Sequence, residues 1–389
     1  MGQLLKFLRE RFQMETRRSN NTSQPPDDID RISNLPEELR VQILSFLTTN
    51  EAMTRCLLSK TWKNTLASVP ILFFSFGQFL LDNHVNNVLS GEIIREYEDE
   101  FAKFVKSVLQ KRKASDALSH FVLVSVTKNC VSCNSEAFKD CILHALEFKP
   151  RFLAVCFCKH HLPSSYEIFT CASLHEVCFG SKLEDRDIEI APNSVNLPRL
   201  KRLDLCNVTV NDDFLDKLFL GCPIIEELFL DSCILTASRI SSGTLKRLGL
   251  LCCDFSRSGP ELLNSLSKFT RLTLTVPGTE VKGLFEKGVP HWPIFKNLKR
   301  LRLGGWCLNS NFSLVSFFLR SPNLEQLTLH GGQTQDKSNW EVPKVEMIQR
   351  ERLEKVNIMK QGRSAEWIDQ LKKNLYAHVK TIGEINIVL

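Results

Sequence analysis

No stretch of this 389-residue chain approaches the ~18 to 20 consecutive apolar residues of a membrane span, so a spanning helix is not expected. Its first twenty residues, MGQLLKFLRERFQMETRRSN, interleave leucines with charges of both signs and lack the uninterrupted apolar centre of a secretory signal. Lys6 stands where a myristoylation signal wants Ser or Thr. A phosphate-cradling glycine loop, Gly-x-Ser-x-Gly and His-Glu-x-x-His are all missing, and the nine histidines are scattered. An enzyme therefore has no residues to rest on, and no cofactor is expected. Charge of one sign is also lacking. Fifty Lys and Arg against 44 Asp and Glu leave +6, and such a mild balance argues for neither nucleic acid nor membrane as a partner.

Fourteen cysteines are present, mostly within apolar runs. Without a secretion signal they read as reduced thiols of the nucleus or cytoplasm. The one metal-like cluster is Cys130-x2-Cys133 with Cys156, Cys158, His160 and His161 downstream. Zinc needs four converging ligands. Here no second Cys-x2-Cys exists, and Cys156 and Cys158 fall on a predicted strand, so no metal site is expected. Cys222, before the helix-stopping Pro223, reads as a small buried packer.

What the chain does contain is organised in order. Residues 1–28 end in RRSNNTSQPPDD, a polar, Pro-containing leader expected to be disordered. Residues 29–70 form a compact helical unit. Its first helix is LPEELRVQILSFL, with Pro36 at its start and two glutamates behind it. NEAMTRCLLSK is a second helix with Asn50 as its cap, and KTWKNTLASV a third, ended by Pro70. At about 100° per residue, Leu39, Ile43, Phe46 and Leu47 lie on one side of the first helix, and Val41 and Leu44 extend that arc. The helix is thus apolar over more than half its circumference, whereas a surface helix normally shows one stripe. Residues 71–150 alternate strand and helix: ILFFSF, YEDEFAKFVKSVLQKRK, HFVLVSV and SEAFKDCILHALEF.

From residue 151 to 389 an internal repeat takes over, apolar at i, i+3 and i+5. It runs Phe152/Val155/Phe157, Leu174/Val177/Phe179, Leu200/Leu203/Leu205, Ile225/Leu228/Leu230, Leu245/Leu248/Leu250, Phe269/Leu272/Leu274, Leu298/Leu301/Leu303, Leu324/Leu327/Leu329 and Leu353/Val356/Ile358. The spacing is that of leucine-rich repeats, whose units bury an apolar face only by stacking on neighbours. Cys233 and Cys253 lie eight residues after the first frame position, where such repeats place Asn or Cys at the strand exit. The tail SAEWIDQLKKNLYAHVKTIGEINIVL supplies a capping helix and a last strand. The fold class expected is α/β.

Leu35-Pro36, Ile43-Leu44, Leu57-Leu58-Ser59-Lys60 and Trp62 resemble the F-box, and the arrangement as a whole is similar to plant F-box/leucine-rich-repeat proteins, particularly the grass group that includes the meiotic F-box proteins. The resemblance implies a three-helix F-box followed by an irregular, horseshoe-like solenoid. It implies a non-catalytic substrate receptor of an SCF-type ubiquitin ligase, docked on a Skp-family adaptor and through it on cullin and RING subunits. Adaptor contact is carried over to Leu35, Pro36, Leu39, Ile43, Leu44, Leu57, Leu58, Ser59 and Trp62, though Leu39 and Trp62 serve equally as core. Thr61 and Asn50 depart from the basic residues usual in related plant sequences. The alternative is a leucine-rich-repeat scaffold independent of ubiquitin.

Side chains at i+2 and i+4 of the frame point away from the core. The i+2 positions read Arg202, Glu227, Arg247, Arg271, Arg300, Gln326 and Lys355, a mostly basic column. The i+4 positions read Asp204, Phe229, Thr273, Arg302, Thr328 and Asn357. Arg202, Phe229, Arg247, Arg271, Arg300 and Arg302 are the substrate-binding candidates, and an acidic or phosphorylated protein segment is the ligand they would suit.

Overall fold

The computed structural model describes residues 34–47, 49–56, 60–83, 91–112, 118–125, 135–157, 166–181, 189–255, 260–276, 293–305, 313–331, 350–359 and 365–388. The leader over 1–28 lies outside them. The chain divides into two compact units, Met1–Asp185 with Pro192–Leu200 and Arg186–Ala191 with Lys201–Leu389. The boundary falls inside the repeat run, so the first two occurrences of the frame belong to the first unit.

The first unit opens with helices α1 (Glu37–Ser45), α2 (Thr49–Cys56) and α3 (Lys60–Ala67). Glu37 and Glu38 occupy the first turn of α1, where carboxylates oppose the positive end of the helix dipole. Leu44, Ala52, Trp62, Leu66 and Val69 bury one another, with Leu47 and Met53 packed against them. Asn50 is not the cap of α2. The helix already begins at Thr49, whose hydroxyl accepts the Phe73 backbone N–H at 2.9 Å, while the Asn50 amide donates to Asp82 at 3.3 Å.

Four parallel strands follow in spatial order, β1 (Ile71–Ser75), β2 (His120–Val124), β3 (Phe152–Phe157) and β4 (Glu176–Ser181), paired in register Phe74↔Leu123↔Val155↔Phe179. The run ILFFSF is not strand throughout. Ser75 ends β1, and its hydroxyl accepts the Gln78 N–H to cap α4 (Phe76–Asp82). Helices α5 (Gly91–Gln110) and α6 (Ser135–Glu147) connect the strands. A phenylalanine cluster cements this layer, with Phe76 and Phe101 rings 5.4 Å apart and Phe101 and Phe138 rings 6.0 Å apart. Buried Arg112 donates to the Val69 carbonyl at 2.7 Å and lies over the Phe148 ring.

The second unit is a parallel ladder. Its strands are β5 (Arg202–Cys206), β7 (Glu227–Asp231), β9 (Arg247–Leu251), β10 (Arg271–Val276), β11 (Arg300–Gly305), β12 (Gln326–His330), β13 (Arg350–Met359) and β14 (Val379–Val388), with the two-residue strands β6 (Thr209–Val210) and β8 (Ile234–Leu235) paired beside them. The i+3 residues stack as Leu203↔Leu228↔Leu248↔Leu272↔Leu301↔Leu327↔Val356↔Ile385. From Leu203 to Val356 these side chains are buried, each contributing about 1.5–3 kcal/mol, while Ile385 is half-buried.

The strand exits repeat as well. Asn207, Ser232 and Cys252 all take positive φ, at 53°, 58° and 52°, each seven residues after its frame start. The next residues, Val208, Cys233 and Cys253, turn fully inward. The Cys233 and Cys253 thiols donate to the Leu205 and Leu230 carbonyls at 3.5 and 3.2 Å, which holds successive repeats together. Returning segments include α7 (Asp212–Gly221), capped by Asn211 accepting from the Phe214 N–H at 2.8 Å, α8 (Pro260–Ser265) and α9 (Ser313–Leu319). Cys222, buried at the end of α7, donates its N–H to Leu218. Helix α10 (Ala365–His378) leads directly into β14.

Candidate functional site

The first candidate surface is on α1. Leu39, Ile43 and Phe46 fall within about 60° of one another around the helix, and they are 45%, 40% and 62% exposed. Leu44, one step of about 100° from Ile43, is 1% exposed and belongs to the core. Trp62, at 8%, belongs there too. The all-round apolarity of the helix thus resolves into two faces, one holding the three helices together and one turned to solvent. Of the residues expected at an adaptor, the structure brings Leu39 and Ile43 to the open face, with Pro36 exposed and Leu35 half-buried at the start of the helix. It places Leu44 and Trp62 inside, where they are inaccessible to direct contact. Leu57, Leu58 and Ser59 lie outside the described residues. Phe46 was visible on the apolar arc in the sequence but is absent from the expected contacts, and it is the most exposed of the three.

The second candidate surface is the outward strand face of the second unit. Strand pairing lines up Arg202↔Glu227↔Arg247↔Arg271↔Arg300↔Gln326↔Lys355↔Glu384. The ends of this column are neutralised from within. Arg202 forks onto Asp204 at 2.8 and 2.9 Å and reaches Glu227 at 3.3 Å. Arg247 takes the other oxygen of Glu227. Lys355 pairs with Glu384 at 2.9 Å and holds that carboxyl below its usual range through the hydrogen bond. The middle is different. Among the described residues no carboxylate pairs with Arg271, Arg300 or Arg302. Arg300 and Arg302 are exposed and alternate with buried Leu301 and Leu303. Partial burial and the like charges of Arg271, Arg202 and Arg300 hold the Arg247 guanidinium below its ordinary value.

Phe229, the expected aromatic anchor, is half-buried under Arg202, whose guanidinium lies 4.4 Å from the ring centroid. The ring also extends across Gly249, its register partner on β9. Farther along, Asn386 donates to Asn357 and Asn357 to Thr328 at 3.3 and 3.4 Å, a hydrogen-bonded rung across three strands.

Of the metal-like cluster only Cys156 is described, buried in β3; Cys130, Cys133, Cys158, His160 and His161 lie outside the described residues. Among the described residues no group of three His, Cys, Asp or Glu could hold a metal ion, and no helix is long and apolar enough to cross a membrane. Burial pushes the Cys141 thiol up to about 12, so it is no nucleophile at neutral pH.

Residues 32–74 match the family model of the F-box domain, and residues 143–259 match that of the leucine-rich repeats of FBD-associated F-box protein At5g56370. Relatives from Arabidopsis thaliana include F-box protein At3g62430, 28% identical over 69% of this chain and 57% of its own length. F-box/FBD/LRR-repeat protein At1g13780 is 31% identical over 66% of this chain and 53% of its own. F-box/LRR-repeat protein At3g59210 is 33% identical over 59% and 46%. The chain thus spans about half the length of the curated relatives it matches.

Proposed function

We propose that this chain, which its F-box and leucine-rich-repeat matches support as a plant F-box/leucine-rich-repeat protein, is the substrate-recognition subunit of an SCF-type ubiquitin ligase of the nucleus or cytoplasm. The α1–α3 segment is the F-box, and it docks on a Skp-family adaptor that brings cullin and RING subunits. The repeats hold the protein substrate on their strand face. The chain performs no chemistry itself. It raises the effective concentration of substrate lysines beside a charged ubiquitin-conjugating enzyme.

The observation that carries this reading is the open stripe of Leu39, Ile43 and Phe46 inside the segment matched as an F-box. Apolar anchors at helical spacing are what a helix offers to a partner groove. The stripe also guides the choice of test. Leu39→Asp with Ile43→Asp places carboxylates on an exposed face and leaves the core intact, whereas Leu44→Asp would unfold the unit. Co-expressed with a Skp adaptor, the double variant is expected to lose co-purification while keeping its circular-dichroism spectrum, because a buried, unpaired carboxylate costs several kcal/mol. Undiminished recovery of adaptor would leave a ubiquitin-independent scaffold as the better reading.

A further inference from the structure

We propose that Arg271, Arg300 and Arg302 on β10 and β11 bind an extended acidic segment of the protein substrate, with carboxylates at alternate residues. The inference rests on the reading of the repeats as the receptor face, and it narrows the docking position to the middle of the basic column.

Three observations carry it. The first is imbalance. Along one column, carboxylates occupy both ends and satisfy Arg202, Arg247 and Lys355. Between those ends the column holds Arg271 and Arg300, with Arg302 two residues along β11 from Arg300, and no described residue places an acid on any of the three. Arg271 and Arg300 are register partners on adjacent strands, about 4.8 Å apart along the ladder. Like charges held so close favour an external anion.

The second is precedent within the same face. Arginines here already take carboxylates in two ways, as a fork on Asp204 and as a bridge in which one Glu227 serves Arg202 and Arg247 on either side. An Asp or Glu of the ligand between Arg271 and Arg300 would reproduce that bridge.

The third is spacing. Arg300 and Arg302 are two residues apart on one strand, about 6.7 Å, which is also the repeat of alternate side chains in an extended peptide. Acidic residues with one residue between them would therefore meet both. Thr273 and Thr328, the register partners of Arg302 on either side, add hydroxyls to the same patch. A single-stranded nucleic acid fits less well, because it wants aromatic platforms for its bases, and Phe229 is covered by Arg202.

The test is fluorescence anisotropy on the full chain, co-purified with its adaptor. The probe is a labelled peptide containing Asp-Gly-Asp-Gly-Asp, compared with its Asn counterpart, a phosphoserine counterpart and an oligouridine. The Asp peptide is expected to bind in a salt-sensitive way and the Asn peptide not to bind. Arg300→Gln with Arg302→Gln should weaken the Asp peptide by about tenfold or more. Lys246→Gln with Lys380→Gln, which removes the same charge elsewhere, should leave it unchanged. Equal binding of the Asn peptide, an unaffected Arg300/Arg302 variant, equal weakening by the Lys246/Lys380 variant, or capture of the phosphoserine peptide or oligouridine but not the Asp peptide would each overturn the inference. Peptide binding needs no F-box contact. Failure here with adaptor retained overturns only this inference, and loss of adaptor by the Leu39/Ile43 variant has no bearing on it.

Discussion

Gly249 offers the sharpest physical test of the strand face. It lies within β9, with Phe229 beside it on β7 and Thr273 on β10. A Cβ added at Gly249 would overlap Phe229 Cδ1 and stand 2.8 Å from Cε1. The ring cannot simply retreat, since the Arg202 guanidinium sits 4.4 Å from its centroid and is itself tied to Asp204 and Glu227. Two effects then compete in Gly249→Ala. Replacing a strand glycine lowers the entropy of the unfolded chain and stabilises by about 0.5–1 kcal/mol. Displacing a rigid ring from a packed position costs about 1–3 kcal/mol. The clash should win, giving a net loss of about 1–2 kcal/mol. With Phe229→Ala already in place there is nothing to strike, and Gly249→Ala should become neutral or mildly stabilising. The coupling between the two sites is therefore about 2 kcal/mol. Urea unfolding of the four proteins of this cycle, followed by far-UV circular dichroism, measures it. Equal effects of Gly249→Ala in both backgrounds would refute the packing described for Phe229.

Other outcomes follow from the same geometry. Leu44→Ala should cost about 2–5 kcal/mol by leaving a cavity among Ala52, Trp62, Leu66 and Val69, whereas Ile43→Ala should leave thermal stability nearly unchanged and act only on partner binding. Glu227→Gln should destabilise by about 1–3 kcal/mol, since it strips a mostly buried carboxylate from Arg202 and Arg247, and by freeing Arg247, while Arg202 keeps Asp204, it should tighten acidic-peptide binding. Cys141 has a folded-state thiol raised to about 12 from an ordinary value of 9.0. Its contribution to stability is therefore complete below the unfolded value and is lost as pH rises from there through about 12. Unfolding midpoints taken across that range should fall less steeply in Cys141→Ala, and native Cys141 should resist thiol reagents at pH 8.

Much of this fold was legible because one periodicity governs it. The i, i+3, i+5 frame fixes which side chains go inward, and stacking those apolar positions on one another brings equal frame positions into register although successive starts lie 20 to 29 residues apart, so the basic column could be read before any pairing was known. The sequence was mute where two residues compete for one role. Ile43 and Leu44 form one apolar pair on paper, yet neighbours on a helix point about 100° apart, and only packing decides which of them is buried. Asn50 is a capable cap on paper, yet α2 already begins at Thr49, and the Asn50 amide goes instead to Asp82, thirty-two residues away. In ILFFSF the helix start at Phe76 was hidden because apolar residues stand on both sides of the capping Ser75, so neither a period of two nor one of 3.6 stands out. Gly249 dropped out of the i+4 column for want of a side chain, and its space was taken by Phe229 from the neighbouring strand.

Glu227 best illustrates how stability and recognition are divided on this face. In the sequence it interrupts a basic column. In the ladder the same residue sits between Arg202 and Arg247 and, together with Asp204 on Arg202, balances both, which leaves the charge imbalance to the next two strands. A carboxylate placed this way does two things at once. It fixes two arginines that would otherwise repel each other, and it confines the unpaired positive charge to Arg271, Arg300 and Arg302. The buried i+3 and i+5 positions carry the stability of the repeats, so changes at those exposed arginines should alter what is bound and leave the ladder standing. By the same logic Arg202, held by Asp204, Glu227 and the Phe229 ring, should serve the ladder more than the ligand. Arg202→Gln should lower the unfolding midpoint through the loss of Asp204, Glu227 and the Phe229 ring as partners, and any effect on acidic-peptide binding should be small beside that of the Arg300/Arg302 variant. If Arg202→Gln instead abolished peptide binding at unchanged stability, the division of the column into a neutralised end and an open middle would be refuted.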